Sequence, residues 1–445
     1  MFSKILIANR GEIAIRVIRA CKEMGISTVA VFSEADREAL HTNLADESYC
    51  IGGSQSKDSY LNMSAVISAA VASKAEAVHP GYGFLSENAE FAKLCRENNI
   101  VFIGPDYSVI TKMGDKDMAR RTMKKAGVPV IPGCDLVDGV EHAKKEAARI
   151  GFPLLIKARS GGGGRGIRLV NEAGELEKAY NAATAEAKAA FGDGAVYMEK
   201  YLFPVKHIEM QLLGDNFGNV VCLGERDCST QRKNQKLIEE SPAAIITDDV
   251  RKKMIEATVK AGKAVGYQGA GTIEYLYDKT GNFYFMEMNT RLQVEHPVTE
   301  MVTGIDLVKW QIRTAAGLKL DFVQEDIEFS GHAIECRINA EDPYQGFRPS
   351  GGKIQMLHIP GGPQVRFDTA VYQNYTIPPF YDSMIGKLIV HAKTRDEAIR
   401  KMKAALCELI IEGVVHNAPF QLEILSAEEF VNSTYTTNSL RTVDS

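Results

Sequence analysis

Short apolar runs alternate with amphipathic stretches along the first part of the chain. Ile5–Ala8 and Thr28–Phe32 have the composition of buried strands, and Glu12–Met24 between them has the apolar spacing of a helix. The alternation continues with strands at 77–79 and 100–103 and with helices near 61–73 and 87–98. This order predicts an α/β unit with a doubly wound parallel sheet up to about residue 112. Its first turn, 9–12, lacks Gly-x-Gly-x-x-Gly, which argues against NAD as the ligand.

A smaller unit follows the boundary at Gly127–Gly133, where two prolines and two glycines interrupt the pattern. After a helix at 115–126, strands are predicted at 153–157 and 167–170, and helices near 140–150 and 174–191 flank them. Between the two strands, the glycine-rich stretch Ser160–Gly166 follows Lys157. Backbone N–H groups of such a loop can close over phosphate oxygens, and its mobility suits a lid. A flexible hairpin loop is the alternative.

Polar residues at every second position form the most informative pattern in the chain. An extended backbone would place all five on one face: Glu287, Asn289, Arg291, Gln293 and Glu295. Thr272–Asp278 is predicted to be the partner strand, joined through the turn-rich residues 279–282. If Asp278 pairs with Phe283, Glu274 lies directly opposite Glu287.

Two opposed carboxylates weaken a sheet unless a cation lies between them. The hairpin therefore predicts a divalent-metal site at Glu274 and Glu287, with Asn289 as a neutral third ligand. Oxygen ligands favour magnesium or manganese over zinc, and magnesium held in this way usually contacts phosphates, which indicates a nucleotide. The alternative is an ordinary hairpin with solvated polar faces. Against it, Arg291 and Glu295 could bind an anion and present a base to it.

Antiparallel strands are predicted at 207–213 and 220–225, and the edge Tyr197–Leu202 could pair with the rim of an adenine. A last unit begins near Gly331 with the strand His332–Asn339, on which Arg337 shares a face with Glu335 and Asn339, and it ends in a helix near 395–410.

Composition narrows the class of protein. The 445 residues are 45% hydrophobic and 24% charged, which leaves room for several units with substantial cores. A net charge of −5 and no cluster of Lys or Arg give no reason to expect nucleic-acid binding. The eight cysteines have no zinc-like spacing, and there is neither a signal peptide nor an apolar run of about 18 residues. We therefore expect a cytoplasmic protein that does not bind membranes.

Motifs spread from residue 3 to about 415 resemble those of the biotin carboxylase family of ATP-grasp enzymes. They are Lys4–Ala14, His79–Asn88, Met113–Lys116, Ser160–Gly166, Glu225–Ser229, Glu287–Glu300 and Glu335–Asp342. The resemblance implies an N-terminal domain over 1–112, an ATP-grasp domain over 113–330 with a mobile lid at about 131–202, and a C-terminal mixed α+β domain over 331–445. The last thirty residues carry no motif of the family.

The resemblance also implies a function. The chain would be an ATP-dependent ligase that uses bicarbonate and Mg²⁺ or Mn²⁺ to carboxylate biotin on a biotin carboxyl carrier protein, through carboxyphosphate. The resemblance implies a homodimer. Separate carboxyltransferase subunits are expected because the sequence has neither an Ala-Met-Lys-Met attachment sequence nor a transferase domain. Acetyl-CoA carboxylase, which feeds fatty-acid synthesis, is the commonest parent complex in the family, and another acyl-CoA carboxylase is the alternative.

Site residues carry over position by position. Nucleotide phosphates would contact Lys116, Lys157, Gly163 and Gly164, and adenine would contact Glu199, Lys200, Tyr201 and Leu202. His207 and Gln231 would contact ribose or phosphates, and Asn234 would be a further nucleotide contact. The metal ligands would again be Glu274, Glu287 and Asn289. Bicarbonate would be held by Lys236, Arg291, Gln293 and the Val294 amide, with Glu295 as its base. Arg337 would stabilise the biotin enolate, and Tyr82 would be a further substrate-binding residue.

The sequence departs from the family at Asn234, where a histidine is frequent, and at Pro349–Gly352, which changes only a turn. Asn can exchange hydrogen bonds but cannot become cationic, so a nucleotide contact is compatible with Asn234 and a titrating role is not. Two further functions compete: an ATP-grasp enzyme that joins a carboxylate to another amine, and a catalytically dead nucleotide-binding regulator. The presence of Lys236, Arg291 and Arg337 argues against both.

Overall fold

The computed structural model describes residues 1–159 and 166–440. Gly163 and Gly164, which the sequence assigns to nucleotide phosphates, lie outside these described residues. Within the described residues, none of the helices combines the length and the apolar character that a membrane span requires.

A five-stranded parallel sheet, in the order β3-β2-β1-β4-β5, forms the N-terminal unit. Its elements are β1 (Lys4–Ile7), α1 (Gly11–Glu23), β2 (Ser27–Phe32), α2 (Leu40–Leu44), β3 (Glu47–Cys50), α3 (Met63–Ser73), β4 (Ala77–His79), α4 (Ala89–Glu97), β5 (Val101–Phe102) and α5 (Tyr107–Gly114). Ile5, Leu6 and Ile7 are all fully buried, as expected for a strand covered on both faces. The predicted doubly wound sheet is confirmed.

A small antiparallel sheet, β7-β6-β8, belongs to the next unit. The elements here are α6 (Lys116–Lys125), α7 (Val140–Ile150), β6 (Leu154–Ala158), β7 (Ile167–Val170), α8 (Leu176–Phe191) and β8 (Val196–Lys200). Leu154, Ile156 and Met198 are fully buried in a core shared with α7 and α8. This unit therefore has a hydrophobic core of its own.

An eight-stranded antiparallel sheet, in the order β13-β12-β9-β10-β11-β14-β21-β19, forms the centre of the molecule. Its first part comprises β9 (Val205–Gly214), β10 (Val220–Arg232), β11 (Gln235–Ser241), α9 (Asp248–Val265), β12 (Gly269–Asp278), β13 (Phe283–Asn289), α10 (His296–Thr303) and α11 (Leu307–Ala315). Its remaining strands come from the C-terminal unit, because β11 pairs with β14 (His332–Asn339). One sheet thus crosses the boundary that the sequence suggested near residue 330.

The C-terminal unit packs helices on the far end of this sheet. After β14 it contains β15 (Glu341–Asp342), β16 (Arg348–Pro349), β17 (Gly352–Lys353), β18 (Met356–His358), β19 (Val365–Thr369), β20 (Thr376–Ile377), β21 (Met384–Ala392), α12 (Arg395–Glu408), β22 (Ile410–Glu412), α13 (Ala418–Ser426) and α14 (Glu428–Val431). The prediction ended with α12, but Phe420, Leu425 and Phe430 of the two later helices are buried in the same core.

The β12–β13 hairpin differs from the prediction in register and in length. Tyr277, not Asp278, pairs with Phe283, and a β-bulge before Glu287 leaves Met286 unpaired. The bulge shifts the register by one residue, so Glu274 still lies opposite Glu287. The prediction that the strand continues to Glu295 is wrong: β13 ends at Asn289, and residues 290–295 form a loop before α10.

Candidate active site

A row of carboxylates crosses three neighbouring strands of the central sheet. Glu209 on β9 pairs with Glu274 on β12, and Glu274 pairs in turn with Glu287 on β13. On the other side of β9, Glu209 pairs with Arg226 of β10. Glu209 and Arg226 are both completely buried. The sheet therefore collects three acidic side chains on one face at a single level.

Two cations compensate the inner part of this row. The His207 Nε2 atom lies 2.9 Å from Glu274 and 3.3 Å from Glu209. The Lys236 Nζ atom contacts Glu209 and lies 3.3 Å from Glu274. Burial alone would lower the pKa of His207, but Glu274 and Glu209 raise it to about 10, so this ring is protonated at neutral pH. Burial alone would raise the pKa of Glu274, but Lys236 and His207 lower it well below its usual value.

Glu287 lies at the outer end of the row and differs from its neighbours. Burial, and after it the charge of Glu274, raises the pKa of Glu287. It shares a cavity of about 230 Å³ with Asn289 and with the exposed Lys116 at the start of α6. Lys116, His207 and Lys236 only partly offset this rise in pKa, so Glu287 offers a carboxylate to a cavity that could admit a cation and an anionic ligand.

The donor atoms here fit a hard divalent cation. Among the described residues, His207, Glu209 and Glu274 are close enough together to hold an ion, but a protonated imidazole cannot be a ligand. This leaves carboxylate oxygens, which magnesium and manganese prefer. The predicted third ligand, Asn289, donates its amide to Glu274 at 2.8 Å, and its oxygen accepts from Arg291 at 3.1 Å. The amide oxygen has a second lone pair, so Asn289 can keep the Arg291 hydrogen bond and still offer this oxygen to a metal.

The loop 290–295 is held from several sides. Arg291 donates to Glu87 at 2.8 Å, which ties the loop to the N-terminal unit. Gln293 donates to Glu274 at 2.9 Å and accepts from Arg226 at 2.6 Å. The carbonyl of Val294 accepts from the buried Lys387 at 2.7 Å. These contacts bring the loop residues to the acidic row although they do not lie on a strand.

Glu295 lies between two cations at the end of this loop. Its Oε1 atom accepts from Lys236 at 2.7 Å, and its Oε2 atom accepts from Arg337 of β14 at 3.0 Å. Burial alone would raise the pKa of this carboxyl, but Lys236 and, to a smaller extent, Arg337 lower it. Glu295 is therefore ionised at neutral pH and can accept a proton from a group that displaces one of the cations.

Tyr82, Glu12 and Lys387 form a cluster of contacts next to the loop 290–295. The Tyr82 hydroxyl donates to Glu12 at the start of α1, and the Nζ atom of Lys387 lies 3.1 Å from the same carboxylate. Because Lys387 also holds the Val294 carbonyl, Tyr82 and the loop 290–295 share one anchor. The structure thus places Tyr82 near the predicted bicarbonate residues.

The predicted adenine residues line a second cavity, of about 150 Å³, between β8 and β12. Lys157 donates to the Glu199 carboxylate at 2.6 Å, and the N–H groups of Lys200 and Tyr201 donate to carbonyls of residues 132 and 153. These two N–H groups are therefore not available to hydrogen-bond an adenine ring. Within the described part of the chain, the Leu202 N–H has no backbone acceptor and is the donor left at this edge.

Gln231 and Asn234 lie at different depths. Gln231 is buried and pairs with Lys236 in the β10–β11 register. Asn234 is exposed at the turn of this hairpin, where its φ of 66° is a conformation that Asn tolerates better than most residues. The structure therefore gives Asn234 a backbone role in the turn and does not bring its side chain into the carboxylate row.

Sequence reasoning missed four residues of this region. Glu209 and Arg226 complete the charged row, and the polar alternation His207-Ile-Glu-Met-Gln211 was the available signal for Glu209. Thr437 and Asn438 line the cavity beside Leu202, and the Thr437 N–H donates to the Val205 carbonyl at 3.2 Å. No motif marks this segment, because its position depends on the fold of the whole C-terminal unit.

A parallel N-terminal sheet, a small antiparallel unit with its own core, and a carboxylate row beside a cavity lined by Lys116 are the features of an ATP-grasp enzyme. Family models match along the chain: "Biotin carboxylase, N-terminal domain" at 1–110, "Carbamoyl-phosphate synthase L chain, ATP binding domain" at 115–323 and "Biotin carboxylase C-terminal domain" at 335–442. The chain belongs to the biotin carboxylase family and is an ATP-dependent ligase.

Individual relatives agree with this assignment. The chain is 56% identical to biotin carboxylase 1 of Bacillus subtilis, over 100% of this chain and 99% of the relative. The biotin carboxylase–βγ-ATP complex from Campylobacter jejuni matches with a TM-score of 0.95 and 52% identity, covering 99% of each chain. The Hydrogenobacter thermophilus 2-oxoglutarate carboxylase biotin carboxylase domain dimer, in complex with MgADP, ADP and bicarbonate, matches with a TM-score of 0.93 and 52% identity, covering 99% of this chain and 98% of that one.

Proposed function

We propose that this chain carboxylates biotin on a biotin carboxyl carrier protein, with ATP, bicarbonate and Mg²⁺ or Mn²⁺, through carboxyphosphate. The observation that supports this best is the position of Glu295, an ionised carboxylate between Lys236 at 2.7 Å and Arg337 at 3.0 Å. An anionic substrate can take over these cations and so release the carboxylate to act as a base.

Bicarbonate activation is the first role that we assign to this chain. Lys236, Arg291, Gln293 and the Val294 amide bind bicarbonate, and Glu295 Oε1 or Oε2 accepts its proton. The oxyanion that results attacks the γ-phosphate of ATP. This step depends mainly on positioning and on neutralisation of charge, which is the usual chemistry of phosphoryl transfer.

Nucleotide binding is the second role. Lys116 and Lys157 contact phosphates, Gly163 and Gly164 belong to the lid, and the edge Glu199–Leu202 receives the adenine. His207 and Gln231 face the ribose or phosphates, and Asn234 is the least supported contact because of its exposed position in the turn. Glu274, Glu287 and Asn289 hold the metal, which supplies neutralisation of phosphate charge when it is bound.

Biotin carboxylation is the third role. Carboxyphosphate breaks down to CO₂ and phosphate beside biotin, and the phosphate takes the proton of the biotin ureido N–H. Arg337 stabilises the resulting enolate, which captures the CO₂, with Tyr82 at the same pocket. This role uses a cation that also contacts Glu295, so bicarbonate and biotin would meet in one place.

Acetyl-CoA carboxylase is the parent complex that we propose, with a carboxyltransferase as a further partner and a homodimer as the assembly. The 2-oxoglutarate carboxylase domain among the matched structures makes a keto-acid carboxylase the second candidate, and that match is a dimer. A cytoplasmic location is consistent with eight free cysteines. Identification of the carrier that co-purifies with the tagged chain would separate the two complexes.

The catalytic proposal is tested with the purified chain and free biotin. We expect bicarbonate-dependent ADP release that biotin stimulates, together with carboxybiotin formation. Glu256, exposed on α9 away from the site, provides a matched control as Glu256→Gln beside Glu295→Gln. ATP cleavage that does not need bicarbonate would refute the biotin carboxylase assignment. Absence of nucleotide binding would argue both against biotin carboxylase and against an ATP-grasp enzyme that joins a carboxylate to another amine.

A further inference from the structure

A second pair of opposed carboxyl groups lies in the central sheet beside Arg337. The β11–β14 register places Glu239 directly opposite Glu335, and both side chains are completely buried. Side chains in such paired positions have Cβ atoms about 4.5–5.5 Å apart. Two ionised carboxylates so close together and so far from water would repel each other strongly.

The two members of this pair have different partners. Glu239 Oε1 accepts from Arg337 Nε at 2.6 Å and lies 2.5 Å from Arg337 Nη2. Neither oxygen of Glu335 has a hydrogen-bond partner within residues 1–159 and 166–440. The nearest cation on the neighbouring strand, Lys387, is engaged instead by Glu12 and by the Val294 carbonyl.

These environments decide which carboxyl carries a proton. Burial raises the pKa of Glu239 to about 7, although Arg337 opposes the rise. Burial raises the pKa of Glu335 well above its usual value. Above about pH 7 the pair therefore carries one negative charge, located on Glu239 where Arg337 is bound, while Glu335 stays neutral.

We propose that Glu239, which lies opposite Glu335 in the β11–β14 register and accepts from Arg337 at 2.6 Å, is the positioning residue for Arg337. Glu239 and Glu295 together engage Nε and Nη2 of the guanidinium. In the part of the chain that the structure describes, no acceptor contacts Nη1 of Arg337, so this N–H group remains for the enolate oxygen of biotin. The inference rests on the proposed function, because it explains how the enolate-stabilising arginine is aimed.

The first test compares two isosteric variants at opposed positions. Glu239→Gln should lower the kcat of carboxybiotin formation by about 10- to 100-fold, because the guanidinium loses its anionic partner, while biotin-independent ATP cleavage stays within about threefold. Glu335→Gln replaces one neutral side chain by another and should change both activities by less than about twofold. Thermal melts and the retained ATP cleavage show that each variant is folded.

The second test is the pH profile. The charged and titratable groups that face Glu239 are Arg337, Glu295, Lys236, Glu335, Cys228 and Cys336. Carboxybiotin formation by the wild type should rise as Glu239 ionises through about pH 7. Glu239→Gln should lose this limb, and Glu239→Asp should keep a titrating limb.

Several outcomes would overturn the inference. Equal loss of both activities in Glu239→Gln would mean that Glu239 serves bicarbonate activation or the fold. Wild-type carboxybiotin formation in this variant would mean that Arg337 needs no such partner. A loss of carboxybiotin formation in Glu335→Gln as large as that in Glu239→Gln would mean that the negative charge of the pair is not confined to Glu239. Absence of carboxybiotin formation by the wild type would refute the proposed function itself, before any variant is compared.

Discussion

The two carboxylates of the metal hairpin should respond oppositely to the same substitution. Glu287→Gln removes a charge that faces Glu274 without a cation of its own, whereas Glu274→Gln removes the partner of His207 and Lys236. Without metal, we therefore expect Glu287→Gln to stabilise the protein and Glu274→Gln to destabilise it. Both variants should lose turnover, because each removes an oxygen that we assign to the metal.

The magnitudes follow from these surroundings. Relief of like charges in a cross-strand pair contributes about 0.2–1 kcal/mol to the free energy of unfolding. For a large domain this raises Tm by roughly 0.5–4 °C. Glu274→Gln leaves buried donors on His207 and Lys236 with weaker acceptors and should cost about 1–3 kcal/mol.

The dependence on pH has a definite sign. The pKa of Glu287 is raised in the folded protein, so its contribution to stability is intact below its unfolded pKa and is lost as pH rises through the folded value. The gain from Glu287→Gln should accordingly be absent in acid, grow as pH rises from the unfolded to the folded pKa, and stay constant above the folded pKa.

Thermal melts in EDTA, and again with saturating MgADP, measure these differences. A ligand at a hundred times its Kd stabilises the native state by about 2.7 kcal/mol, so wild type should overtake Glu287→Gln once MgADP is bound. Rates of ATP turnover across a magnesium titration complete the assay. A Glu287→Gln variant that is less stable than wild type in EDTA, or that turns over normally at limiting magnesium, would refute the reasoning.

Further predictions concern the other groups of the site. Glu295→Gln should lower bicarbonate-dependent ATP cleavage by about 10²–10⁴-fold, with or without biotin. Arg337→Ala should lower carboxybiotin formation by about 10²-fold and largely spare biotin-independent ATP cleavage. Equal losses of the two activities in Arg337→Ala would contradict the assignment of this arginine to biotin. Alanine at Gly163 and Gly164 should raise the KM for ATP or lower kcat, and unchanged kinetics would leave this stretch without a role in closing over phosphate. Asn234→His tests the exposed turn: a changed Kd for ATP would indicate a nucleotide contact, and an unchanged Kd would indicate a backbone role alone.

Local pattern was enough to predict the parallel sheet and the opposed carboxylates of the hairpin. The pairing of Glu274 with Glu287 was correct although the assumed register at the turn was off by one residue. The β-bulge at Met286 compensates for this difference, and no sequence feature of residues 283–287 predicts a bulge there. Alternation beyond Asn289 misled the strand prediction, because a polar face can also be assembled from a loop whose side chains are held by distant partners.

Non-local contacts explain what the sequence could not give. Glu209 joins the carboxylate row only because β9 lies beside β12, more than sixty positions later in the chain. Asn438 reaches the cavity beside Leu202 because Tyr435 is anchored by Glu240 at 2.5 Å and by its packing under Lys206. Such placements depend on strand order and on the docking of a whole unit, which residue periodicity does not encode.

The continuous sheet has a consequence for any attempt to divide this enzyme. Lys236 and Arg337 lie on β11 and β14, the two strands that join the sheet across the apparent boundary near residue 330. A chain severed there would expose two long unpaired edges, each a template for aggregation. The halves could be recovered only by complementation, with each fragment supplying the strand that the other lacks. Pairing of β11 with β14 would bring Lys236 and Arg337 together again, so enzyme activity would report directly on reassembly of the two fragments.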